Sequence, residues 1–162
     1  MTHDDASSGP IRPRGDWPDL AGRFAGDTHI LPVRVYYEDT DFSGVVYHAG
    51  YLRFLERGRT DSLRLSGVGQ GELHAGGEGL IFAVRRITID YHRPALMDDV
   101  LEVRTRTEEV RGASLVLAQR IVRGQELIVS ADVRVAAIAG GRPARIPDGL
   151  RQVLEGVSGP RS

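Results

Sequence analysis

Residues 114–123 read Ser114-Leu115-Val116-Leu117-Ala118-Gln119-Arg120-Ile121-Val122-Arg123. Four apolar residues in succession, Leu115 to Ala118, make both faces of this segment apolar. A strand of that kind belongs in the middle of a sheet, covered on both sides. Arg123-Gly124-Gln125-Glu126 follows as a tight hairpin signal. Leu127 to Ala139 then alternates Leu127, Val129, Ala131, Val133 and Val135 with its other residues. Upstream, Val100 to Val110 alternates Leu101, Val103 and Thr105 against Glu102, Arg104 and Arg106. Before it, Leu80 to Tyr91 starts apolar on both faces, continues as Ile87, Ile89 and Tyr91, and stops before Pro94. Strands joined by such short connections pair antiparallel.

A fifth strand begins at Ile30, where Val33, Val35 and Tyr37 alternate with Arg34 and Tyr36. Between it and the other four, residues 48–66 read as a helix. Tyr51, Leu52, Phe54, Leu55, Leu63 and Leu65 give it a wide apolar face, and Gly67 is its C-cap. Gly58, inside it, costs about 1 kcal/mol relative to Ala, a cost that close packing of backbone on a sheet explains. Residues 67–79 hold six glycines and read as a mobile loop. They follow a helix and lack dinucleotide-fingerprint spacing. Pro147 at a first helical position precedes Leu150, Val153 and Leu154, a short amphipathic helix.

One helix cannot cover both faces of five strands. The pattern therefore predicts an α+β fold, a five-stranded antiparallel sheet wrapped around a central helix, with a homodimer or a tetramer completing the burial. Residues 1–28, with Pro10, Pro13, Pro18, four Gly and five Asp, read as a flexible arm. The folded domain is expected over 29–156, with a tail at 157–162.

Composition narrows the chemistry. All 21 basic residues are Arg, set against 22 acidic ones for a net charge of −1, and there is neither Lys nor Cys. A Schiff-base lysine, a P-loop ATPase, a thiol nucleophile, a disulfide framework and Cys-ligated zinc are excluded. The near-neutral balance predicts no nucleic-acid partner and no acidic membrane surface. No apolar run reaches the length of a membrane span, and no charged start leads into an apolar leader, so a cytoplasmic protein is expected. His3, His29, His48, His74 and His92 show no H-E-x-x-H spacing, so no metal is expected. No G-x-S-x-G elbow is present either.

The chemistry-bearing stretch is Tyr36-Tyr37-Glu38-Asp39-Thr40-Asp41-Phe42-Ser43-Gly44-Val45-Val46-Tyr47-His48-Ala49-Gly50-Tyr51. Three carboxylates in four residues precede a helix, which turn chemistry alone often produces. Here no Ser, Thr, Asp or Asn stands immediately before the helix, leaving its first N–H groups uncapped and able to bind an oxyanion. Val45, Val46 and Tyr47 put apolar walls between those groups and the carboxylates. A carboxylate beside an oxyanion-binding helix end suits hydrolysis of an acyl compound.

This stretch resembles the hotdog-fold acyl-CoA thioesterases of the 4-hydroxybenzoyl-CoA thioesterase superfamily. The likeness is to the YbgC type associated with the Tol-Pal system, whose motif is Y-Y-E-D-T-D-x-x-G-V-V-Y-H-x-x-Y. Phe54 to Thr60, Val84 to Tyr91 and Arg111 to Val122 match further motifs, so the resemblance covers about residues 33–146. Gly58 departs from it, since the family tends to have Ala there. The resemblance implies a thioester hydrolase with Asp41 as catalytic carboxylate, acting as base or as nucleophile. It implies that backbone N–H groups near His48 polarise the thioester oxygen, that His48 orients water or Asp41, and that Tyr37 lines the site with Val46 and Tyr47. Glu38 and Asp39 are expected to hold loop N–H groups, and Glu56 on the helix is read as a solvated or salt-bridged carboxylate ahead of one facing the partner subunit's site. Arg85, Arg86, Arg93 and Arg111 fall near strand ends in the matching motifs as donors for CoA phosphates, and Ser114 is placed to help hold the pantetheine or water. Coenzyme A is then part of the substrate and no separate cofactor is expected. Acyl carrier protein is a further expected partner. A non-hydrolytic scaffold binding acyl-CoA or acyl carrier protein has no need of Asp41. A hotdog dehydratase needs its His in a Gly- and Pro-rich loop, unlike His48-Ala49-Gly50-Tyr51.

Overall fold

The computed structural model describes residues 19–67 and 79–158. In chain order the elements are β1 (Arg23–Ala25), β2 (Thr28–Arg34), a 3-10 turn (Tyr37–Asp39), α1 (Gly50–Leu65), β3 (Ile81–Tyr91), β4 (Val100–Val110), β5 (Ser114–Arg123), β6 (Glu126–Ala139), β7 (Arg142–Pro143) and α2 (Asp148–Ser158). All strands join one antiparallel sheet in the order β1-β2-β4-β5-β6-β3, with β7 paired to the end of β6.

β5 lies inside the sheet as expected, with Gln119 opposite Thr105 of β4 and Leu117 opposite Val133 of β6. Gly124, at positive φ, closes the two-residue β5–β6 hairpin. The inner face of β5 carries Leu115, Leu117, Gln119 and Ile121, all buried, while Val116 and Ala118 on the outer face are only half-buried. Cover on both sides is thus incomplete among the described residues.

The sheet has seven strands among the described residues where the pattern predicts five. The two additions are three and two residues long, too short to show an alternation. β1 overturns the end of the expected arm, since Arg23–Ala25 pairs with Thr28–Ile30. Gly22 permits that pairing, because a Cβ there would lie 2.2 Å from the Ile30 carbonyl oxygen. Residues 1–18 of the arm, most of the glycine-rich loop and residues 159–162 of the tail lie outside the described residues. α2 runs two residues into the expected tail.

α1 begins at Gly50, two residues later than predicted, and Gly67 takes the left-handed conformation just past its end. It buries Gly50, Tyr51, Phe54, Leu55 and Gly58 against the sheet. Leu52 and Leu65, expected on that face, are exposed. Leu150 and Leu154 of α2 and Ile146 close the core at the far end of the sheet. This single long helix under a wrapped sheet is the hotdog architecture that the resemblance implies.

β3 is the edge strand, eleven residues long, and its outer edge has no partner among the described residues. Ile81, Val84 and Tyr91 along it are each close to half exposed. An open apolar edge of this length is a pairing surface unless covered.

At Gly58 a Cβ would lie 2.6 Å from Val103 Cγ1 and 3.0 Å from Thr105 Oγ1. Gly58→Ala therefore loses stability by about 1–2 kcal/mol, the steric cost of overpacking exceeding the helix-propensity gain. Combining it with Val103→Ala makes the double variant more stable than the sum of the two single losses, measured by denaturant unfolding. A neutral or stabilising Gly58→Ala contradicts the close approach.

Candidate active site

The acidic stretch folds as a small hairpin. Its walls are bridged at Thr40 and Val46, and the Asp41 amide donates to the Val45 carbonyl at 2.8 Å. Gly44 at positive φ makes the tip, its amide donating to the Asp41 carbonyl at 3.0 Å. The hairpin is fixed to the body by Val46 N–H donating to Ala95 O at 2.9 Å and Tyr47 N–H to Asp39 O at 3.0 Å. The β3–β4 connection lies against it through the Val45–Leu96 bridge.

The three carboxylates separate by environment. Asp39 is buried and its Oδ2 accepts the Tyr36 amide at 2.8 Å, the structural role expected of it. Glu38 is exposed. Asp41 stands half-exposed near the tip, where its Oδ1 accepts both the Ser43 hydroxyl and the Ser43 amide, each at 2.8 Å. Its Oδ2 accepts no hydrogen bond from a described residue at comparable geometry. The Ser43 hydroxyl first, then the Ser43 amide, hold the Asp41 carboxyl below the usual carboxylate range, and the nearby charge of His48 acts in the same direction.

Past the tip, the ring of Tyr47 packs on that of His48 with centroids 4.4 Å apart. The Tyr91 hydroxyl donates to the His48 carbonyl at 2.8 Å. Ala49, the residue before α1, supplies no side-chain cap. The amides of His48 and Ala49 donate to no acceptor among the described residues, the arrangement expected of an anion-binding helix start. Val46 is a core residue and contributes its backbone, whereas Tyr37 and Tyr47 are exposed. Tyr37 makes no ring contact among the described residues.

Of the remaining expected residues, only Arg93, on the β3–β4 connection, lies at the Asp41 end of the sheet. Arg111 and Ser114 flank the β4–β5 turn, at the opposite end of β4 from the Asp41 hairpin, roughly 30 Å away by strand rise. Arg111 is paired with Glu109 at 2.9 Å and Arg93 with Glu126 at 3.0 Å. Arg85 and Arg86 sit mid-strand on β3, where a bulge leaves both exposed, with no ion pair among the described residues.

A cavity of about 220 Å³ opens near that opposite end, between α1 and the sheet. Glu56, Arg59, Phe82, Thr107, Leu115 and Leu154 are among its lining residues. The Arg59 guanidinium donates to Gln119 Oε1 at 3.0 Å, and Gln119 donates in turn to the Leu55 carbonyl and the Thr105 hydroxyl. Sequence reading missed Arg59, Gln119, Ser43 and Tyr91. Gln119 alone left a trace, as a polar residue on the inner face of an apolar strand.

The chain belongs to the thioesterase-like superfamily, whose family model matches residues 35–154. Within it the chain is similar to the YbgC acyl-CoA thioesterases. It is 48% identical over 108 residues to the acyl-CoA thioester hydrolase YbgC of Escherichia coli O6:H1, covering 66% of this chain and 79% of that one. It is 46% identical over 112 residues to the acyl-CoA thioesterase YbgC of Haemophilus influenzae, covering 69% and 82%. The crystal structure of a probable thioesterase from Bartonella henselae superposes with a TM-score of 0.71 at 45% identity, covering 74% of this chain and 99% of that one.

Asp39 and Glu38 separate experimentally. Asp39→Ala strands the Tyr36 amide and lowers unfolding stability by about 1–2 kcal/mol, whereas Glu38→Ala, at an exposed site, stays within about 0.5 kcal/mol of wild type. Equal effects on the melting temperature contradict the assignment of Asp39 as the loop's anchor.

Proposed function

We propose that this protein hydrolyses the thioester of short- or medium-chain or aryl acyl-CoA, with Asp41 as its catalytic carboxylate. The observation that carries the reading is a half-exposed carboxylate whose Oδ1 is held by Ser43, on a hairpin leading to an uncapped helix start. The activity named for the YbgC relatives supports it.

Asp41 is ionised at neutral pH and needs no activating partner. As a base it takes a proton from water, which adds to the acyl carbon. As a nucleophile it adds to that carbon itself, giving a mixed anhydride that water then opens. Either way the carbon–sulfur bond breaks, the CoA thiolate leaves and takes up a proton, and the acyl group ends as a carboxylic acid. The oxyanion formed on the way is stabilised by the His48 and Ala49 amides, with His48 orienting water or Asp41. Tyr37 and Tyr47 supply walls. Coenzyme A enters as part of the substrate, and no other cofactor takes part.

The cavity, the Arg111 and Ser114 turn and the start of β3 lie at one end of the sheet, and Asp41 with Tyr91 at the other. A two-fold axis on the open β3 edge, pairing it antiparallel with a second copy, brings one chain's Asp41 end to the other's cavity end. We therefore propose a homodimer, or a tetramer built from two such dimers, whose sites each draw on two chains. The acyl group then enters the cavity of about 220 Å³, below the range for drug-sized ligands, which suits a short or medium chain. Arg85 and Arg86 on the seam are free to meet CoA phosphates. The resemblance of residues 36–51 supports three further parts of the proposal: a cytoplasmic setting, acyl carrier protein as a partner and a link to the Tol-Pal system. Among the described residues no helix is long and apolar enough to cross a membrane.

Asp41→Asn keeps the melting temperature and lowers thiol release from acyl-CoA by about 10²–10⁴-fold, followed with a thiol-reactive dye. Turnover at the wild-type rate in that variant removes Asp41 from the mechanism.

A further inference from the structure

The hydroxyl and the amide of Ser43 converge on the same atom, Asp41 Oδ1, both at 2.8 Å. The amide donates whatever residue stands at 43. The hydroxyl is what this sequence adds. Two donors on one oxygen restrain rotation of the carboxylate about its Cβ–Cγ bond, and Oδ2 takes no hydrogen bond as close from a described residue, the Val45 amide acting on the carboxylate as a lesser donor.

We infer that Ser43 is a positioning residue, whose side chain occupies Oδ1 of Asp41 so that the chemistry runs through Oδ2. The inference rests on Asp41 being the catalytic carboxylate. Ser43 is exposed at the hairpin tip and contributes nothing to the core, so its side chain has no packing role to confuse with this one.

The charged groups around the hairpin leave the assignment intact. Asp39 spends its carboxylate on the Tyr36 amide. Asp99, on the β3–β4 connection that lies against the hairpin, is paired with Arg123 at 2.6 Å. Glu38 is exposed. His48 favours the charged form of Asp41, as Ser43 does. A donor to the ionised form holds a carboxyl's pKa down. Removing the Ser43 hydroxyl therefore raises the Asp41 pKa, and the carboxylate is lost to protonation at a less acidic pH.

The test is steady-state kinetics of Ser43→Ala, Ser43→Thr and Asp41→Asn with one acyl-CoA from about pH 3 to 9, a window that reaches below the ordinary carboxylate pKa. Ser43→Ala is expected to lower kcat about three- to tenfold, the worth of one net hydrogen bond, with KM within about twofold of wild type because uniform binding is untouched. The acid limb of its kcat/KM profile moves to higher pH. Ser43→Thr, which keeps a hydroxyl, restores both the rate and the limb. A Ser43→Ala enzyme with the wild-type kcat and acid limb overturns the positioning role, as does a lower rate with an unmoved limb that Ser43→Thr fails to restore. If Asp41→Asn is inactive in that case, the carboxylate reading stands without Ser43. If Asp41→Asn turns over at the wild-type rate, both readings fall.

Discussion

α1 rests on the sheet at Gly58, where an added Cβ would lie 2.6 Å from Val103 Cγ1. That approach of helix backbone to strand side chain sets how deep the helix sits, and the rest of the chain arranges itself around it. Phe54 and Leu55 fill the space toward the helix start and are fully buried. Beside Gly58, Gln119 bridges the Leu55 carbonyl and Thr105, satisfying polar groups that the close packing removes from water. Toward the helix end the fit loosens into the cavity beside Arg59. A cation there costs desolvation, which lowers the Arg59 pKa, and the fixed Gln119 acceptor offsets part of that cost.

One helix set this deep covers the middle of the sheet and leaves β3 out at the edge. The same geometry divides the chemistry. The Asp41 hairpin is anchored on the β3–β4 connection at one end of the sheet, through Ala95 and Leu96. The cavity and the β4–β5 turn are at the other. Within one chain Asp41 and the cavity stand at opposite ends of the sheet, too far apart to serve one substrate. The proposed pairing across the open edge would answer the uncovered strand and the divided site together.

Much of this was legible in the sequence. The apolar run in β5, the alternation in β4 and β6 and the Gly124 turn each forced a strand or a reversal. Gly58, a glycine inside a helix, pointed to the close helix–sheet contact found there. β1 and β7 were invisible because three and two residues carry no period. Within the site, residue order placed Asp39, Asp41 and His48 near one another, and local hydrogen bonding then gave the two aspartates different work. Spacing along the chain does not report which end of a sheet a residue reaches. Arg111 and Ser114, expected to meet CoA phosphates and the pantetheine, therefore lie a strand length from Asp41 of their own chain. The cavity was hidden for a related reason, since its lining comes from α1, α2 and four strands at once.

The central claim is that each active centre draws Asp41 from one chain and the cavity end from another. Mixing Asp41→Asn chains with Leu63→Trp chains, whose cavity is filled against the acyl group, after unfolding and refolding them together, tests it most directly. Hybrid dimers then hold one doubly altered site and one intact site. The account predicts that an equal mixture of two nearly inactive parents recovers about a quarter of wild-type thioester hydrolysis, as random pairing at a two-fold interface requires. A mixture no more active than the mean of its parents contradicts it.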